Sequence, residues 1–189
     1  MLRLIALLAL TATPVLAHSP VLDLTPKTRA APLVLDEPEH SKAIFSELTG
    51  APQFYQITSE EEFDFYVGLT APKLESCGLG QTFSFRVLDA EFKEIDARDG
   101  GAMEWEPWYE EYGKSWYWVG PEIGKDFAHD RQYPAGTYYV EVFNAGNSGE
   151  YVLAVGDQER FGLGTLLTIG KTMREVKAKF WDEAGCEGG

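Results

Sequence analysis

Between Met103 and Val119 the chain places Trp105, Trp108, Tyr109, Tyr112, Trp116, Tyr117 and Trp118, interleaved with Glu104, Glu106, Glu110 and Glu111. Aromatic faces beside carboxylates suit sugar binding: the ring covers the C–H face of a pyranose and the carboxylate accepts from its hydroxyls. Peptide-binding surfaces use Trp and Tyr in a similar way. The candidate ligand residues are therefore Trp105, Trp108, Tyr109, Tyr112, Trp116, Trp118, Glu106 and Glu110. A second use of the same rings stays open, because alternation along Trp116-Tyr-Trp-Val119 sends every other side chain inward, to cap and fill a β-structure.

His18 offers different chemistry. If a leader is removed after Ala17, His18 carries a free α-amino group, and amine plus imidazole chelate copper as a pair. A second imidazole, His40 or His129, would complete a three-nitrogen site suited to Cu(II). The opposing reading is a terminal His beside Pro20, with His40 and His129 on the surface. Other reaction motifs are missing: there is no Gly-x-Ser-x-Gly elbow, no His-Glu-x-x-His and no phosphate loop. Asp89, Asp96 and Asp99 match no calcium loop. A non-catalytic binding role, with copper as the alternative and no other cofactor, is the expectation.

The compartment follows from the first seventeen residues. Arg3, the apolar run Leu4 to Leu10, Pro14 and the ending Val15-Leu16-Ala17 read as a signal peptide over 1–17. The run is shorter than the roughly 20 apolar residues of a spanning helix, so the expected mature chain is periplasmic or secreted and does not cross the membrane. Cys77 and Cys186 are an even pair in an oxidising compartment, for which a disulfide is the default and two free thiols the alternative. A net charge of −14 excludes nucleic acid as a partner, since phosphate binding rests on clustered Lys and Arg. An extracytoplasmic carbohydrate or envelope protein remains as the expected partner.

The elements that must position these residues are mostly strands. Tyr138, Val140 and Val142 alternate with Tyr139, Glu141 and Phe143; Tyr151, Leu153 and Val155 alternate again after Asn144, Gly146, Asn147 and Gly149, residues that tolerate a positive φ in a loop. Phe63, Phe65, Val67 and Leu69 form another run, as do Phe83, Phe85 and Val87, and Phe54 to Thr58 a shorter one. These predict an antiparallel two-sheet β-sandwich of jelly-roll type over 53–162. Residues 18–52 read as an extended segment and a short helix. Asp36 can cap that helix, Pro38 fits its first turn, Ile44, Phe45 and Leu48 form a stripe, and Gly50 ends it. Over 163–189, Leu166, Ile169, Met173, Val176 and Phe180 recur at helical spacing with Lys171, Arg174, Lys177 and Lys179 largely off the stripe. That amphipathic helix either packs on the sandwich or docks a partner through its basic face.

The hairpin Tyr133-Pro-Ala-Gly-Thr-Tyr-Tyr-Val-Glu-Val-Phe to Gly149-Glu-Tyr-Val-Leu-Ala-Val155 resembles the last hairpin of the bacterial pre-peptidase C-terminal domain. That domain is a small β-sandwich appended to exported proteins. A wider likeness extends to a group of exported prokaryotic proteins that carry the sandwich. It rests on His18-Ser-Pro, Ala43-Ile-Phe-Ser-Glu-Leu-Thr-Gly50, Glu106-Pro-Trp-Tyr109 and Val155-Gly-Asp-Gln-Glu-Arg-Phe161. The resemblance implies a sandwich outside the cytoplasm and names no ligand.

Overall fold

The computed structural model describes residues 18–160 and 163–182. The strands, in chain order, are β1 (Ser19–Leu22), β2 (Leu33–Leu35), β3 (Lys42–Thr49), β4 (Gln53–Ser59), β5 (Phe63–Asp64), β6 (Val67–Pro72), β7 (Ser84–Leu88), β8 (Glu94–Arg98), β9 (Glu106–Glu110), β10 (Ser115–Ile123), β11 (Gln132–Tyr133), β12 (Gly136–Phe143) and β13 (Ser148–Val155). One helix, α1 (Leu163–Phe180), follows. Two open sheets face each other, ordered β1-β3-β13-β6-β10-β9 and β2-β4-β12-β7-β8, with β5 and β11 pairing at one end. This is the expected sandwich.

Its interior is what a period of two dictates. Every side chain expected in the core from the four alternating runs is buried there: Phe63, Phe65 and Val67; Phe83, Phe85 and Val87; Tyr138, Val140 and Val142; Tyr151, Leu153 and Val155. At the centre the Tyr55 and Tyr151 hydroxyls meet at 2.6 Å, each giving the other a partner in a place where an unpaired hydroxyl is costly. The loop of the hairpin is closed by Asn144, whose side-chain amide donates to the Ser148 carbonyl and whose oxygen accepts from the Ser148 N–H. Asn147 takes a φ of 45° there.

Several expectations are corrected. The stretch expected as a short helix ending at Gly50 is a strand, β3, seated between β1 and β13. Ile44, Phe45 and Leu48 fit a helical stripe, but Ile44 and Leu48 face the sandwich interior while Phe45 faces outward under α1. A strand covered on both sides loses the polar–apolar alternation that would have announced it. The sandwich therefore begins at β1 rather than near residue 53. The sheets are also mixed rather than purely antiparallel: β1 runs parallel to β3, and β2 parallel to β4. The expected run Phe63 to Leu69 is broken into β5 and β6, so that Phe65 and Tyr66 lie between strands, still buried.

The amphipathic helix packs on the sandwich, on the outer face of the six-stranded sheet. Val176 and Phe180 are buried against Phe45, Tyr117 and Val152. Phe180 meets Phe45 edge-on at 5.2 Å, and Trp181 meets Tyr117 at 5.0 Å. Lys179 is drawn onto the sheet by Glu47 at 3.2 Å and Glu150 at 2.9 Å, and Lys171 pairs with Glu175. The basic face is thus partly committed within the chain. No described helix is long and apolar enough to cross a membrane. Residues 1–17, expected to form a signal peptide, lie outside the described residues, as does Cys186, on which the expected bond to Cys77 rests.

Candidate ligand-binding site

The Glu-rich aromatic segment folds as a hairpin at the edge of the six-stranded sheet. Tyr117 stands opposite Trp108, Trp116 opposite Tyr109, and Trp118 opposite Pro107. Opposite residues share a face, so the rings divide into two sets. Trp108 and Tyr117 point toward α1; Tyr109, Trp116 and Trp118 point the other way. The turn is tied by Glu110, whose carboxylate accepts from the N–H groups of Tyr112 and Gly113, and Lys114 adopts a φ of 52°. Further along β10, Gly120 and Pro121 interrupt the pairing with β6. Gly120 is required there, because a Cβ would overlap the Trp105 ring.

On the α1 side lies a cavity of about 300 Å³. Its floor is the outer face of the sheet: Ala43 and Phe45 of β3, Val152 and Ala154 of β13, Thr70 of β6 and Tyr117 of β10. Ile169 and Met173 of α1 roof it. Trp108, Tyr109, Glu110, Glu111, Tyr112 and Gly113 close one end, and His18, Pro20 and Phe127 complete the wall. Every strand of this sheet contributes to the lining. A volume at the lower end of small-molecule sites and walls mainly of apolar side chains are what such sites have in common.

Phe127 reaches the cavity by strained backbone. Asp126 and Phe127 have φ values of 52° and 64°, a region uncommon for residues with a side chain and costly for an aromatic one. Glu122 holds them: one carboxylate oxygen accepts from the Asp126 N–H at 3.0 Å, the other from the Phe127 N–H at 3.3 Å and the Tyr66 hydroxyl at 3.1 Å. The Phe127 ring then lies 4.7 Å from that of Trp108. Sequence inspection passed over Glu122 and Phe127; the one available sign was Gly124 just after a strand.

The candidate residues separate as follows. Trp108, Tyr112 and Glu110 line the cavity, joined by Glu111 and by His18, considered in the sequence only for metal; Tyr109 also touches the cavity, but its ring turns to the other face beside Trp116. Trp105 does not belong to the site: it is buried in the core, its indole N–H donating to the Gly100 carbonyl at 2.9 Å. Trp118 packs partly against the core. Trp116 is 44% exposed, its ring 5.2 Å from that of Tyr109, with the Lys73 ammonium 5.8 Å above it. Glu106 is exposed on the edge strand.

The three histidines considered for copper, His18, His40 and His129, have the following surroundings. The side chains are drawn to different partners: the His40 Nδ1 pairs with Glu37 at 2.9 Å, while His129 lies between Asp157 at 2.6 Å and Asp64 at 3.4 Å. Among the described residues no three His, Cys, Asp or Glu side chains converge as a metal site. The hydrogen bond from Asp157 raises the His129 pKa above its ordinary value. His18 goes the other way: burial holds its pKa down to about 4, only partly opposed by the Asp157 charge, so the imidazole is neutral at pH 7. Its Nε2 is shielded from solvent and has no hydrogen-bond partner.

No family model matches the chain, and no curated protein matches it. Among solved structures, the catalytic domain of GH87 alpha-1,3-glucanase in complex with nigerose superposes with a TM-score of 0.31 and 12% identity, over 60% of this chain and 22% of that one. A variant of the same domain in complex with tetrasaccharides gives 0.29 and 14% over the same shares. The chain thus matches about a fifth of those structures, and a superposition at this level carries no argument about ligand or reaction.

Proposed function

We propose that this chain is an exported, non-catalytic binding module, a β-sandwich of the pre-peptidase C-terminal type, whose ligand site is the cavity between the six-stranded sheet and α1. The observation that carries this reading is the cavity itself. A well-packed sandwich buries the outer face of a sheet under a helix without leaving such a space, and here the space coincides with the aromatic hairpin. The strained turn at Asp126 and Phe127 supports it, because strain of that kind is retained where a side chain must be held in one place.

The test uses the chain beginning at His18 and a neutral solvent-sensitive dye, Nile red. Saturable binding is expected, lost or weakened about tenfold or more in Trp108→Ala, while circular dichroism of the variant stays that of the parent. Equal dye binding by parent and variant, or none by either, would refute the site. Amino-terminal sequencing of protein recovered from a culture envelope or medium checks the export step; a first residue other than His18 contradicts cleavage after Ala17.

The opposite face of the hairpin favours a second ligand class. Exposed Trp116 beside Tyr109, with Lys73 above the ring, is an open aromatic platform of the kind that suits carbohydrate or an envelope protein. Trp116→Ala should remove binding on a glycan array or in envelope pull-downs without affecting the dye.

A further inference from the structure

We infer that the cavity takes an extended apolar molecule ending in an ammonium group, with that group at the β9 end beside Glu110, Glu111 and the ring faces of Trp108 and Tyr112. This rests on the binding reading above and specifies its ligand class.

The argument is one of charge complementarity inside an apolar groove. Lining residues come from all six strands of the sheet, so the space runs across the strands, and what fills it must be long rather than compact. Among the described residues neither Lys nor Arg lines the cavity. An anionic head, carboxylate or phosphate, would meet no cation there, and the two glutamates would repel it. Glu110 already accepts two backbone N–H groups in the turn, which keeps its carboxylate fixed in place. Glu111 is exposed at the rim. An ammonium group next to them also gains from the negative ring faces of Trp and Tyr. The chain's net charge of −14 raises the local concentration of any cation.

At the other end of the groove the described lining residues are His18 and Pro20, with no carboxylate among them. His18 is neutral there, so the far end of the molecule is apolar or carries one uncharged polar group able to reach Nε2. The buried Nε2 has no partner among the described residues, and a buried polar atom left unpaired is destabilising.

Three eight-carbon probes separate the possibilities: octylammonium, octanol and octanoate, each titrated into the chain beginning at His18 by calorimetry and by displacement of Nile red. Octylammonium is expected to bind at least about tenfold tighter than octanoate, with octanol between, and its advantage should shrink as salt is raised. Glu111→Gln, an exposed change that leaves the core untouched, should weaken octylammonium about two- to five-fold and leave octanol unchanged. Octanoate binding as tightly as octylammonium, or Glu111→Gln weakening all three alike, overturns the ammonium assignment while leaving the cavity as a binding site. Failure of every probe and of the dye overturns both. Binding that appears only after residues 183–189 are removed would make the chain's own tail the occupant and overturn the assignment as well.

Discussion

Asp157 sits between two histidines and pulls them apart electrically. It accepts from the His129 backbone N–H at 2.8 Å and contacts its ring at 2.6 Å, while adding an attraction to His18 that burial outweighs. The consequences for stability have opposite signs. His18, held near 4, binds fewer protons folded than unfolded; its contribution is complete above about 6.5, the ordinary value, and is lost as pH falls from there toward about 4. His129, raised, binds more protons folded; its contribution is complete below about 6.5 and disappears as pH climbs through the raised value. Proton NMR of the ring resonances should show one histidine titrating near 4 and another above its ordinary range. Asp157→Asn should return His129 toward that range. A His18 that titrates with the solvent-exposed value would mean that its ring is not desolvated.

At the scale of elements, the buried side chains of α1 among the described residues, Val176 and Phe180, lie in its last turns. Phe180→Ala removes the ring packed on Phe45 and deprives Tyr117 and Trp181 of their neighbour. A cost of about 3–5 kcal/mol is usual for losing a buried Phe. The expected result is loss of the helix from the sheet: a red shift of Trp181 emission, early hydrogen exchange in α1 and loss of dye binding, with the sandwich still folded. Unfolding in a single step with the sandwich would show that α1 is integral to it. This helix was legible in the sequence because Val176 and Phe180 recur at helical spacing between charged residues. The last hairpin was legible because period two is unambiguous when one face is solvated. β3 was not, since α1 covers its outer face and both sides read apolar. The site was half legible: the hairpin announced itself by composition, but its rings divide between two faces according to strand register, and register is set by pairing that no local pattern records. Trp105 looked identical to Trp108 for this reason. Glu122 could not be recognised, because its role depends on a loop that folds back onto it.

Taken whole, the molecule carries a charge of −14 on a single sandwich, enough self-repulsion to oppose compaction. Screening should relieve it: Tm is expected to rise by a few degrees between ~10 mM and ~150 mM salt, over which the Debye length falls from about 30 to about 8 Å. A Tm that falls instead would place the balance with attractive pairs such as Lys179 to Glu150 and Glu47. Cationic ligands should respond in the opposite direction, losing affinity over the same range, so the two measurements separate the protein's own repulsion from its attraction for a guest.

The sheets are open, and each therefore ends in strands with unpaired backbone: β1 and β9 in one, β2 and β8 in the other. Such borders invite a neighbouring chain to continue the ladder. Here each is blunted in its own way. β1 contains Pro20 and β9 contains Pro107, neither able to donate a backbone hydrogen bond; β2 is three residues long, following Pro32; β8 alternates Glu94, Asp96 and Arg98 around the exposed Ile95. These devices guard the open sheets against fibre growth. β8 is the least protected border, because charge alone defends it. Glu94→Val would set two β-branched residues side by side on that rim, and concentrated solutions of the variant should acquire thioflavin-positive aggregates while the parent stays clear.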